Sequence, residues 1–173
     1  MKLSHARLST LISPTAGMSV AGAILVFLSR FNWLPVNFSP VGSFGFWTPH
    51  WWLYGLSIIV FDVVKGGFYP GFLITYLGFA GYWVLGRGAG QSWRRQALFL
   101  AMASFWFFLI SNLGVWWYWY PHSWQGLWQC YWLALPFYRN TMMGDLLFGY
   151  SVLVIKNFLI HFRVRPHIAK LET

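Results

Sequence analysis

The sequence predicts an all-α integral membrane protein, a bundle of about six transmembrane helices with a re-entrant or interfacial helix before the last span. Three observations predict it. Of 173 residues, 58% are hydrophobic and only 9% are Asp, Glu, Lys or Arg, where a soluble domain carries about a quarter. The polar residues are also unevenly placed: Gln96 to Tyr138 is an uncharged run of 43 residues, and Leu8–Ser29, Phe31–Phe61 and Gly66–Gly86 are uncharged as well. Finally, the 12 Lys and Arg flank these runs instead of clustering among aromatic residues. They therefore read as topology signals, and nucleic acid is excluded as a partner.

The length suits one domain over 1–173, with a cytoplasmic segment at 1–14 and a basic cytoplasmic tail at 161–173. Lys2 and Arg7 precede an apolar run that lacks a small-x-small cleavage site, so a retained first span is expected over Thr15–Arg30. It carries Ala16, Gly17, Ser19, Ala21, Gly22 and Ala23, a face of small residues that permits close helix approach. Pro35, Pro40 and Pro49 then break the chain into an extended loop through Asn37 and a short span near Pro40–Trp47. Trp51–Val64 and Tyr69–Gly86 follow, separated by Asp62, Lys65 and the pair Gly66-Gly67. A loop with Arg87, Arg94 and Arg95 leads to Gln96–Trp119, whose 24 residues reach ~36 Å against a hydrocarbon core of about 30 Å. Ser123–Tyr138 is shorter, contains Pro136 and meets Arg139-Asn140 before a last helix at Thr141–Ile160.

Charge tests this arrangement. With the N-terminus inside and Ser123–Tyr138 kept on the outer side, nine basic residues lie inside and Arg30, Lys65 and Arg139 outside. A full crossing by Ser123–Tyr138 changes the split to five against seven, so the re-entrant helix is preferred. The expected location is the bacterial cytoplasmic membrane, with both termini cytoplasmic.

Asp62 and Asp145 are the only acids outside the tail, and both fall in or beside apolar helices, where a carboxylate costs about 2.5–3.5 kcal/mol. They read either as part of a polar ligand site with Arg139, Arg30 and Lys65, or as helix-end pairs, Asp62 with Lys65 and Asp145 with Arg139. Asn112 lies inside the longest apolar run and needs a partner on another helix or on a ligand. Asn37 and Asn140 sit in predicted breaks, where they order a loop or bind a ligand. No HExxH or other close metal spacing appears among the five histidines, which excludes a protein metal site. His50 and His122 are expected at the membrane boundaries as interfacial residues; the alternative is ligation of a chlorophyll or haem. The single Cys130 excludes an internal disulfide. With no GxSxG elbow, P-loop or GxGxxG, an enzyme is not expected.

Leu34-Pro-Val-Asn-Phe-Ser-Pro-Val-Gly42, Phe108-Leu-Ile-Ser-Asn-Leu-Gly-Val-Trp116, Tyr120-Pro-His-Ser-Trp-Gln-Gly-Leu127, Cys130-Tyr131 and the stretch Leu135 to Phe148, with its Arg139-Asn-Thr and Gly144-Asp145, resemble in the same order an uncharacterised bacterial family of small multi-span membrane proteins. That family is in turn distantly similar to the substrate-binding S components of energy-coupling factor vitamin transporters. The second resemblance implies an outer face that captures a vitamin-like molecule, a lid near Asn37, and a first helix that docks on a coupling subunit driven by ATPases. S components use alanines four apart for that docking; here the small pairs are Gly17/Ala21 and Ser19/Ala23.

Together these readings predict a non-enzymatic protein that captures a small solute at its outer face for uptake with a partner. Asn37, Asp62, Asn112, Arg139, Asn140 and Asp145 are its candidate ligand-binding residues, with no cofactor. The alternative is a structural accessory subunit of a larger membrane complex, one that carries pigment or redox groups. In either case the bilayer and other membrane subunits are the expected partners.

Overall fold

A computed structural model describes residues 14–31 and 34–169, without side chains at 14–16, 18, 156, 157 and 159–169. Residues 1–13 of the expected cytoplasmic segment and the last four residues of the basic tail, Lys2, Arg7 and Lys170 included, lie outside the described residues; the rest of the tail, 161–169, continues α6. The chain forms six helices and no strand among the described residues: α1 (Pro14–Ser29), α2 (Val41–Trp47), α3 (Trp51–Val64), α4 (Phe72–Gly88), α5 (Trp93–Trp119) and α6 (Trp124–Ala169).

Proline and glycine set most of the boundaries. Pro40 opens α2, and Thr48 ends it in an extended conformation because Pro49 follows. Gly66, Gly67 and Gly71 hold the α3–α4 turn at positive φ, a region closed to most side chains. Tyr120 is extended before Pro121, which separates α5 from α6.

The expected re-entrant helix and last span are one element. From Trp124 the chain stays helical through Pro136, Arg139 and Asn140, about 69 Å at 1.5 Å per residue. Proline removes one backbone donor, but the surrounding turns are held against α5. Tyr131 Oη donates to the Leu109 carbonyl at 2.6 Å, and the rings of Phe108 and Tyr138 lie 4.6 Å apart. That packing outweighs the missing bond.

α5 runs antiparallel to α6, with Asn112 beside Cys130, Ser104 beside Asp145 and Leu100 beside Gly149. α4 lies on the other side of α5, where Gly78, Gly81 and Gly114 admit Phe107, Trp106 and Ile74. α2 is wedged between them. Its first turn meets Tyr82 and Asp145 at Gly42, and its last turn meets Gly86 and Gly149, so α2 reaches along only part of the bundle. The segment before it, expected to be extended, is instead a turn in which the Phe38 N–H donates to the Pro35 carbonyl at 2.9 Å and Asn37 takes a positive φ; it covers the rest of that path. Val36 accepts a bond from Asn140, and the Ser39 backbone lies against Gly144.

The core has two neighbouring centres, one around Tyr82, Phe46, Leu100 and Ala103, the other around Val26, Val41, Tyr54 and Ile58; Phe79 packs on both. α1 faces inward through Ser19, Gly22 and Val26, with the Phe44 ring against Gly22, while Ala21 is exposed. α5 is long and apolar enough to cross a membrane, with a mean hydropathy of 1.9, and Ser19–Ser29 and Trp51–Val64 are apolar but shorter.

Candidate functional site

Three polar arrangements stand out against the apolar bundle. The first is enclosed. Asp145 of α6 is 1% exposed, and its Oδ2 accepts hydrogen bonds from Tyr82 Oη of α4 and, at 2.5 Å, from Ser104 Oγ of α5. Ser43 of α2 donates to the Asp145 carbonyl at 3.1 Å. One residue thus joins four helices, and only glycine fits at position 42, where a Cβ would overlap both the carboxylate and the Tyr82 ring. A buried carboxyl group held this way ties helices together.

The second arrangement gathers Arg30, Asp62 and Tyr76 at the open end of α1. Arg30 Nη2 lies 3.3 Å from Asp62 Oδ1, and Tyr76 Oη donates to Asp62 Oδ2 at 2.8 Å. The guanidinium also sits 3.9 Å over the Phe61 ring, a stacked cation. Lys65 does not form the expected pair with Asp62, because Arg30 takes that place from the facing helix; Lys65 Nζ lies 5.0 Å over Phe31 instead.

The third is an open groove of about 390 Å³ between α5, α6 and the loop before α2. Asn37, Phe108, Ser111, Asn112, Tyr138 and Thr141 line it, with Tyr69 and Thr75 closing one side. Asn112 does not bridge to another helix: its Nδ2 donates to the Phe108 carbonyl of its own helix at 2.7 Å, and Oδ1 accepts no bond among the described residues. Ser111 and Thr141 likewise donate to carbonyls one turn back, at 2.7 and 3.0 Å, which leaves their oxygens as acceptors. Asn37 has a positive φ of 62°, a conformation asparagine tolerates better than most residues. Its position is fixed from α6, since Asn140 Nδ2 donates to the Val36 carbonyl at 3.1 Å and Gly144 admits the Ser39 backbone.

The six residues singled out in the sequence therefore separate. Asn37 and Asn112 face the groove, Asn140 secures the loop that carries Asn37, Asp62 pairs with Arg30, and Asp145 is enclosed with Tyr82 and Ser104. Arg139 is exposed and, among the described residues, pairs with neither Asp145 nor Asp62. Among the described residues the two acids share no hydrogen-bond partner. Sequence reasoning missed Tyr82, Ser104, Tyr76 and Tyr138. Ser104 carried a signal, a hydroxyl within a 43-residue uncharged run; the tyrosines were hidden among 39 aromatic residues.

A second cleft of about 270 Å³ lies between α3 and α4, lined by Trp51, Ile58, Ile59, Phe79 and Trp83. Its walls are almost wholly apolar, with Tyr54 and Tyr76 also among the lining residues. His50 Nδ1 lies 3.1 Å from Ser19 Oγ, and His122 Nε2 lies 2.8 Å from the Trp117 carbonyl with its ring stacked on Trp117. No group of three metal-ligating side chains occurs among the described residues.

The chain belongs to a family of unknown function, DUF6580, whose model matches residues 11–166. No curated protein and no solved structure matches it. None of these comparisons shows a likeness to S components.

Proposed function

We propose that this member of DUF6580 is a non-enzymatic, membrane-embedded protein that captures a small solute in the α5–α6 groove for uptake with a partner, in the manner of an S component. The observation that carries this reading is the groove itself, a concave site of mixed polar and aromatic lining, one wall of which, the loop through Asn37, is tied to α6 by Asn140. Its volume falls in the range of small-molecule sites. Irregular backbone inside a membrane bundle is tolerated where it is covered by protein or lines a cavity, which suits the segment before α2.

The exterior supports the membrane part of the proposal. Trp124, Leu73, Val154 and Leu25 are each more than 60% exposed, alongside many other large apolar side chains, and such a surface needs lipid or protein around it. Six helices that alternate in direction put Arg87, Arg94 and Arg95 at one end and Arg30 and Lys65 at the other. The same alternation brings the start of α1 and the end of α6 to the Arg87 end, which supports a cytoplasmic placement of both. Arg139, by contrast, lies partway along α6, beside the turn that packs on Phe108, and not at the outer end.

Thermal unfolding of the detergent-purified protein against a library of small polar and aromatic solutes tests the proposal. At least one solute should raise the midpoint of the wild type and not that of Asn112→Leu, which keeps the helix but loses the open acceptor. A midpoint that no solute moves would contradict it. The accessory-subunit reading has an observation of its own, the exposed Trp124, Trp128 and Trp132 along one stripe of α6, with the last two rings stacked 6.0 Å apart. Stoichiometric co-purification with a larger, coloured complex would favour it.

A further inference from the structure

We propose, resting on the capture reading above, that the groove takes an uncharged, planar solute bearing both hydrogen-bond donors and acceptors, and rejects carboxylates and ammonium ions. None of the described residues that line the groove is charged. The charges that could have served it are committed elsewhere: Asp62 to Arg30 and Tyr76, Asp145 to Tyr82 and Ser104, and Lys65 to the Phe31 face. Arg139, though next to Tyr138, is exposed and does not line the groove. An ion entering this space would shed water and meet no opposite charge, which disfavours it strongly against a neutral molecule of the same shape.

What the lining does offer is specific. Asn112 Oδ1, Ser111 Oγ and Thr141 Oγ stand as acceptors once their donors are spent on backbone carbonyls, and Tyr138 and Tyr120 supply hydroxyl donors. Phe107, Phe108, Phe137 and Tyr138 supply ring faces and edges, with Phe108 and Tyr138 tilted at 33° to each other. Such walls favour a flat ring with polar edges.

One ring system in three charge states tests this. The full-length protein in nanodiscs of zwitterionic lipid is titrated at pH 7 with indole-3-acetamide, with indole-3-acetate, which has nearly the same shape and a negative charge, and with tryptamine, which carries a positive one. Empty nanodiscs correct for partition into lipid. Ser111→Phe, which fills the groove from α5, and Asn112→Leu serve as controls. The amide should bind at least tenfold more tightly than either ion, and Ser111→Phe should remove that binding. If either ion binds as tightly as the amide and Ser111→Phe removes it, the ligand class is wrong while the groove remains a capture site. If no member binds beyond empty nanodiscs, the ligand class is overturned; if binding survives in both variants, the groove is not the site and the capture reading fails with it.

Discussion

A single oxygen atom, Oδ2 of Asp145, receives hydroxyls from two other helices, and this makes Asp145 a structural residue before anything else. Its replacement by alanine leaves the Tyr82 and Ser104 hydroxyls buried without that acceptor, a loss of about 2–4 kcal/mol. Asn keeps an acceptor, so Asp145→Asn should lose about 1 kcal/mol; reversible unfolding in mixed micelles measures both. The ion pair of Arg30 with Asp62 behaves differently. Arg30→Met alone strands a carboxylate that is 5% exposed and should destabilise by about 3 kcal/mol, whereas Arg30→Met with Asp62→Leu should recover most of that. A double-mutant cycle separates the two. Asn37, Asn112 and Asn140 were legible in the sequence because an amide in an apolar run or a break has few bland explanations. The partners of Asp145 were not, because they lie 63 and 41 residues away and their types are common in membrane helices.

Helices α1, α3, α4 and α5 fall within a few residues of the apolar runs that predict them, since glycine or proline follows the ends of α3, α4 and α5 and the charge of Arg30 follows that of α1. The predicted break before the last helix fails for a physical reason. Proline costs one hydrogen bond, which a sequence shows, and gains nothing or much from tertiary packing, which it does not. Close approach is the second hidden quantity at this scale. A Cβ at Gly86 would strike the Phe46 carbonyl group and lie 3.0 Å from its Cα, so Gly86→Ala forces backbone against backbone between α4 and α2. It should destabilise the protein by about 2 kcal/mol. Gly55 of α3 has nothing within 4 Å of the same position, and Gly55→Ala should be neutral or stabilising by up to about 1 kcal/mol. Unfolding midpoints of the two variants, measured side by side, check the packing of α2.

For the whole molecule, the apolar exterior and the alternation of six helices make one statement, that Lys65 and Arg94 lie at opposite ends of the bundle. In a Cys130→Ala background, a membrane-impermeant maleimide should label Lys65→Cys and spare Arg94→Cys in intact cells; equal labelling would remove the proposed orientation. The composition is what underlies the proposed membrane setting, because a chain with 9% charged residues offers little polar surface to water. The groove was less legible, since it arises where α6 continues past Pro136 and holds the Asn37 loop against α5. The claim that this groove captures a solute is tested most directly by gentle purification of wild type and Ser111→Phe from native membranes, followed by mass spectrometry of the small molecules each retains. The account predicts one uncharged molecule at near one-to-one stoichiometry on the wild type and none on Ser111→Phe. The same molecules on both proteins, or none on either, would contradict it.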